Sequence, residues 1–167
     1  MTKDGPEQDV VFRRAWLGDD SQLKRDAREF WLAAQLTPTM IERRINDICA
    51  VGYSEGKLAV VSTAIDTHYS FLNSNLLFYR CMVAPEYRQH NLAWRITEYS
   101  LSILEKWSLE NPQENIRGLM MVIETDKFAD GLREPLRSSF GMTLSFVGYS
   151  EKSEQRRVIW FKHTRLD

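Results

Sequence analysis

Cysteine is scarce in this chain. Two cysteines in 167 residues, Cys49 and Cys81, share no paired spacing. That excludes a disulfide framework and a cysteine-built zinc site, and it fits a reduced cytoplasm. The three histidines have no metal-type spacing either, so no metal is expected. Excess charge of one sign is missing. With 22 basic and 23 acidic residues the net charge is -1. A nucleic-acid or membrane-surface partner usually demands a basic excess, so neither is expected. No apolar run nears the roughly 20 residues of a membrane helix. The polar, acidic start "MTKDGPEQD" does not read as a signal peptide. Repeats, linkers and low-complexity segments are also lacking.

What is present reads as one globular domain. Hydrophobic residues make up 43% and charged residues 27%, close to globular averages. Residues 1–9 read as a flexible tail and 10–167 as a single domain that can bury a real core. "VVFRRAW" (10–16) reads as a strand. Leu23, Ala27, Phe30, Trp31 and Ala34 recur at helical steps behind the cap residues Asp19, Asp20 and Ser21. Thr37 as cap and Pro38 at the first position predict a second helix. "ICAVGYS" (48–54) and "KLAVVSTAIDTHYS" (57–70) read as strands about a "SEGK" turn, and "NLLFYRCMV" (75–83) as a third strand. "AWRITEYSLSILEKWSL" (93–109) is a helix by its period. "RGLMMVIET" (117–125) is apolar throughout, as a strand buried on both faces would be. "DGLREPLRSSF" (130–140) is expected to form a short helix capped by Asp130 and ended by Gly141. "MTLSFVGYS" and "RRVIWFKHT" close the chain as a hairpin about "EKSEQ". The fold class is therefore α/β, a mixed sheet flanked by helices in the order βααβββαβαββ.

The stretch "VAPEYRQHNLAWR" (Val83 to Arg95) joins a strand to a helix. A helix start presents unpaired N–H groups and the positive end of its dipole. A loop that wraps before it can aim several N–H groups at one phosphate. Such a loop needs a left-handed residue, and Asn91 is the commonest substitute for glycine. Arg88 adds charge and Ala93 keeps the helix start uncrowded. The competing reading is an ordinary strand–loop–helix connection with a solvated arginine.

This stretch resembles the acyl-CoA pyrophosphate loop of the GNAT superfamily of N-acetyltransferases. Val83 and Pro85 match its V-x-P, and Arg88 and Ala93 match its frame, with Asn91 where the family has its first glycine. "SSFGM" (138–142) is similar to the family's "LGF" segment, and the order of elements agrees from about residue 10 to 166. The resemblance implies a mostly antiparallel GNAT sheet and a V-shaped gap between the strands at 75–83 and 117–125. It implies acetyl-CoA, or another acyl-CoA, as co-substrate, with no metal. The pantetheine arm would pair with Cys81, Met82 and Val83. The diphosphate would rest on residues 88 to 93: Arg88, Gln89, His90, Asn91, Leu92 and Ala93. The implied function is transfer of an acyl group to a small-molecule or peptide amine, and a homodimer is admitted. The acceptor would be set by "AAQLTPTM" and by the "EKSEQ" hairpin.

Two family groups are absent from their usual places. A tyrosine acid is expected where Arg137 stands, and a glutamate base where Leu77 stands. Tyr79, Glu124 and Tyr149 are the substitute catalytic candidates. Each also has a plain structural reading: a half-buried aromatic, a solvated carboxylate and a hairpin residue. Trp16 and Trp31 are candidates to line an acceptor pocket. The alternative function is a GNAT-fold domain that binds CoA or a protein partner and catalyses nothing.

Overall fold

Local signals start and stop the elements. In a computed structural model that describes residues 9–88, 91–123 and 132–166, the Asp20 carboxylate accepts hydrogen bonds from the Gln22 and Leu23 amides, both at 3.0 Å. That cap opens helix α1 (Ser21–Ala33), which buries Leu23, Ala27 and Trp31 at four-residue steps. The Thr37 hydroxyl accepts from Met40 N–H at 3.3 Å ahead of α2 (Pro38–Arg44). The third helix, α3, spans Leu92–Glu110. The strands are β1 (Val11–Arg14), β2 (Ile48–Ser54), β3 (Lys57–Tyr69), β4 (Ser74–Val83), β5 (Ile116–Ile123), β6 (Leu136–Ser139), β7 (Met142–Tyr149) and β8 (Gln155–Trp160). They form one sheet in the order β1-β2-β3-β4-β5-β8-β7-β6. β4 runs parallel to β5, whereas β1–β2, β2–β3, β5–β8, β7–β8 and β6–β7 are antiparallel. The expected mixed, mostly antiparallel α/β class is therefore present.

One expected element is different. Residues 132–140 hold no helix; Leu136–Ser139 is strand β6, paired with β7 from Leu136–Ser145 to Ser139–Met142. Pro135 lacks the N–H a helix interior requires. Phe140 (φ 50°) and Gly141 (φ 72°) both take left-handed backbone, which closes a two-residue hairpin of the I′ kind. Gly141 is thus a hairpin residue, not a helix stop. The last strand also ends earlier than expected, at Trp160, and β5 is described from Ile116 to Ile123, where this run of described residues stops. Residues 1–8 and the expected cap Asp130 lie outside the described residues.

The described chain divides into two compact units, one within Met1–Thr63 and Cys81–Ser100, the other within Ala64–Arg80 and Leu101–Asp167. In the first, α1 and α2 bury Leu23, Ala27, Trp31, Ile41 and Ile45 together with Ile48, Val51 and Val61 of the strands. A neutral polar network sits in the same unit: Ser62 Oγ donates to the Ala50 carbonyl at 3.2 Å and lies 2.9 Å from Ser100 Oγ. In the second unit, Leu76, Met120 and Val158 are fully buried beneath half-buried Tyr69, Leu72, Phe78, Val147 and Trp160. Here β5 and β8 approach so closely that a Cβ at Gly118 would run into the Ile159 carbonyl oxygen.

The second unit also buries a cation. Arg157 is 1% exposed. Its Nη1 donates to the Glu134 carbonyl at 2.7 Å, its Nη2 donates to the Leu132 carbonyl, and its Nε donates to Gln155 Oε1 at 2.9 Å. Phe146 lies against the guanidinium at 5.4 Å. Burial pulls its pKa down, and these three acceptors are neutral. The arginine thus ties the stretch before β6 to β8.

Candidate functional site

The site is built at the end of β4. The β4–β5 ladder runs from Asn75–Ile116 to Phe78–Met120, and β4 then continues to Val83. Cys81, Met82 and Val83 are half-buried. The next residue turns away: the Ala84 N–H donates to the Ala59 carbonyl at 2.9 Å, which ties the loop to β3. Pro85–Tyr87 form one tight helical turn in which the Tyr87 N–H returns to the Ala84 carbonyl at 2.9 Å. The Tyr87 side chain is 8% exposed and pins the turn to the unit. Arg88 is exposed, and its Nε reaches back toward the Val83 carbonyl at 3.5 Å. Gln89 and His90 lie outside the described residues.

Asn91 then takes φ 51°, the left-handed conformation that the loop required. Its carbonyl accepts the first helical bonds of α3, from Trp94 N–H at 3.0 Å and Arg95 N–H at 3.1 Å. By helix geometry the Leu92 and Ala93 amides have no acceptor within α3. The Leu92 side chain is buried at 1% exposure and anchors the helix start. Ala93 is half-exposed, and Thr97 Oγ1 donates to its carbonyl at 2.7 Å. A turn of backbone, one exposed guanidinium and a helix start are thereby held together. That arrangement suits an anion.

The catalytic candidates do not assemble in the same way. Tyr79 is 3% exposed within β4. Tyr149 is 61% exposed at the end of β7, edge-on to Phe146 at 5.0 Å. Glu124 lies outside the described residues. Leu77, the position of the family base, is fully buried, and Arg137, the position of the family acid, is exposed on β6. Trp31 belongs to the α1–α2 core at 2% exposure. Among the described residues no group of three or more His, Cys, Asp or Glu could hold a metal ion. No helix among them is long and apolar enough to cross a membrane. The sequence reading missed Tyr87 and took Leu92 only as a diphosphate-loop residue, not as a buried anchor; their apolar character inside a polar stretch was the available signal.

No protein-family model and no curated protein sequence matches the chain. Solved structures do. A mutant of the AtaT toxin, bound to the C-terminus of the antitoxin AtaR and acetyl-CoA, superposes with a TM-score of 0.58 at 15% identity over 92% of this chain and 94% of that one. The chain has the GNAT acetyltransferase fold. An aminoglycoside 6'-N-acetyltransferase complexed with coenzyme A gives a TM-score of 0.53 at 12% identity, covering 94% of this chain and 99% of that one. N-acetylglutamate synthase from Neisseria gonorrhoeae, complexed with coenzyme A and N-acetyl-glutamate, gives 0.51 at 12% identity over 92% of this chain and 35% of that one. All three of these structures hold coenzyme A or acetyl-CoA.

Proposed function

We propose that this GNAT-fold chain is an acyl-CoA-dependent N-acyltransferase, with acetyl-CoA as co-substrate and an amine on a small molecule or peptide as acceptor, acting in the cytoplasm. The observation that carries the reading is the left-handed Asn91 turn feeding the start of α3. The Leu92 and Ala93 amides and the Arg88 guanidinium would hold the diphosphate, with Gln89 and His90 in the same loop. The backbone of Cys81, Met82 and Val83, beyond the end of the β4–β5 ladder, would pair with the pantetheine arm. Bound acetyl-CoA supplies a thioester, from which transfer to an amine needs positioning more than activation. A strand N–H aimed at the carbonyl oxygen would add electrostatic help.

Neither Leu77 nor Arg137 can serve as base or acid, so a free amine must attack, the C–S bond breaks to release CoA as its thiolate, and solvent must collect the amine's proton and protonate the thiolate. Acetylation of a panel of amines should therefore be slow and should rise with pH. Tyr79→Phe, Glu124→Gln and Tyr149→Phe should each cost less than about tenfold, below the 10²–10⁴ of a true general acid or base. A hundredfold loss in turnover with CoA affinity intact would make that residue the catalyst and contradict the unassisted site. The same two positions favour a second reading, a domain that binds CoA or a partner without catalysis. That reading wins if acetyl-CoA binds and no amine in the panel is acetylated at any pH.

A further inference from the structure

The half-open apolar face of the second unit carries a pattern of its own. Phe71 is 51% exposed and Ile65 38% exposed. Tyr69 meets Phe71 edge-on, ring centroids 6.0 Å apart at 85°. Arg156 lies over the Phe71 ring at 5.4 Å, and Arg80 over the Phe78 ring at 4.5 Å. Burial raises the pKa of the Tyr69 hydroxyl, against a hydrogen bond with Thr67 and the charges of Arg156 and Arg80. Along β3, Ile65 and Tyr69 alternate onto the same side of the strand. Tyr69 and Phe78 both pack on Leu76, Met120 and Val158. The result is one surface of aromatic rings carrying two arginines.

Its composition selects a kind of partner. Aromatic residues and arginine are the residue types enriched in protein interfaces, whereas lysine is depleted. A guanidinium stacked on a ring spends its flat face on the ring and keeps its in-plane N–H fork for a carboxylate. Among the described residues no carboxylate forms an ion pair with Arg80 or Arg156. Nucleic acid fits less well, since two arginines on a chain of net charge -1 supply little phosphate neutralisation. We propose that this face docks an acidic polypeptide segment bearing aromatic side chains, its carboxylates on Arg80 and Arg156 and a ring against Phe71. The proposal uses none of the acyl-CoA residues and stands or falls apart from them.

The test uses the full chain and a random copolymer of glutamate and tyrosine as probe, with polyglutamate, polylysine and a single-stranded DNA oligonucleotide beside it. The copolymer should bind most tightly, polyglutamate more weakly, and polylysine not at all. Arg80→Glu with Arg156→Glu should weaken copolymer binding by about tenfold or more, because like charges replace complementary ones. Arg80→Gln with Arg156→Gln, a milder pair that adds no like charge, should give a smaller loss in the same direction. Phe71→Ala should remove the advantage of the copolymer over polyglutamate. Equal binding by wild type and the glutamine pair would overturn the proposal. So would absence of copolymer binding, or an oligonucleotide that binds more tightly than the copolymer.

Discussion

The two apolar clusters of this molecule are finished in different ways. Around Trp31 the strands are closed over by α1 and α2, and the last ring is 2% exposed. Around Leu76, Met120 and Val158 the cover is a fringe of half-buried rings ending in Phe71, with arginines lying on them. Helices finish a core because they bring apolar stripes at full packing density. Rings and guanidiniums finish a surface, because they tolerate water on one side and carboxylates on the other. The difference separates residues that hold the fold from residues available to a partner.

That separation can be broken by stability measurements. Trp31→Ala should cost the most, about 3–5 kcal/mol, by emptying a closed core. Urea unfolding of the variant would read it. Arg157→Met should come next, at about 3 kcal/mol, because it leaves the buried Leu132 carbonyl and the part-buried Glu134 carbonyl without this donor, at about 1–3 kcal/mol each. Cys49 offers a pH test. Burial raises its thiol from 9.0 to about 12. The folded chain keeps that proton where the unfolded chain loses it, so stability should fall as pH rises from 9.0 toward about 12, by up to about 1.4 kcal/mol per pH unit. Cys49→Ala should flatten that part of an alkaline unfolding series. Asn91→Ala should cost about 1–2 kcal/mol for its left-handed backbone, while Asn91→Gly should be tolerated. Phe71→Ala should change stability by less than about 0.5 kcal/mol, as surface substitutions do. If Phe71→Ala unfolds the protein as readily as Trp31→Ala, the half-open face is a core and the comparison fails.

Much of this was legible in the sequence where one local rule governs one residue. Asp20, Thr37 and Pro38 announce helix starts, and "SEGK" closes its hairpin through left-handed Glu55 and Gly56. Asn91 was readable as a left-handed turn because few residues tolerate that backbone. The segment at 132–140 was not readable, because "SSFGM" supports either a helix stop or a hairpin. Pro135 and the pairing with β7 decide for the hairpin. Arg157 was placed in a strand from the sequence, with nothing said of its charge. Alternation sets it on the side of Ile159, which is 3% exposed, and that was the one sign that it would be buried. The cationic, aromatic face joins residues from β3 to β8, so no local pattern could reveal it.

The central claim is that the loop from Arg88 to the start of α3 holds the diphosphate of acyl-CoA. Titration calorimetry and thermal unfolding with acetyl-CoA, on the wild type and on Ala93→Glu, test it most directly. At about 100 times its dissociation constant, acetyl-CoA should stabilise the wild type by about 2.7 kcal/mol. Ala93→Glu should stay folded, since a carboxylate suits a helix start, yet it should lose the ligand because that carboxylate meets the diphosphate. A wild type that shows neither heat nor a shifted melting temperature contradicts the claim, and so does an Ala93→Glu variant that binds as tightly as the wild type.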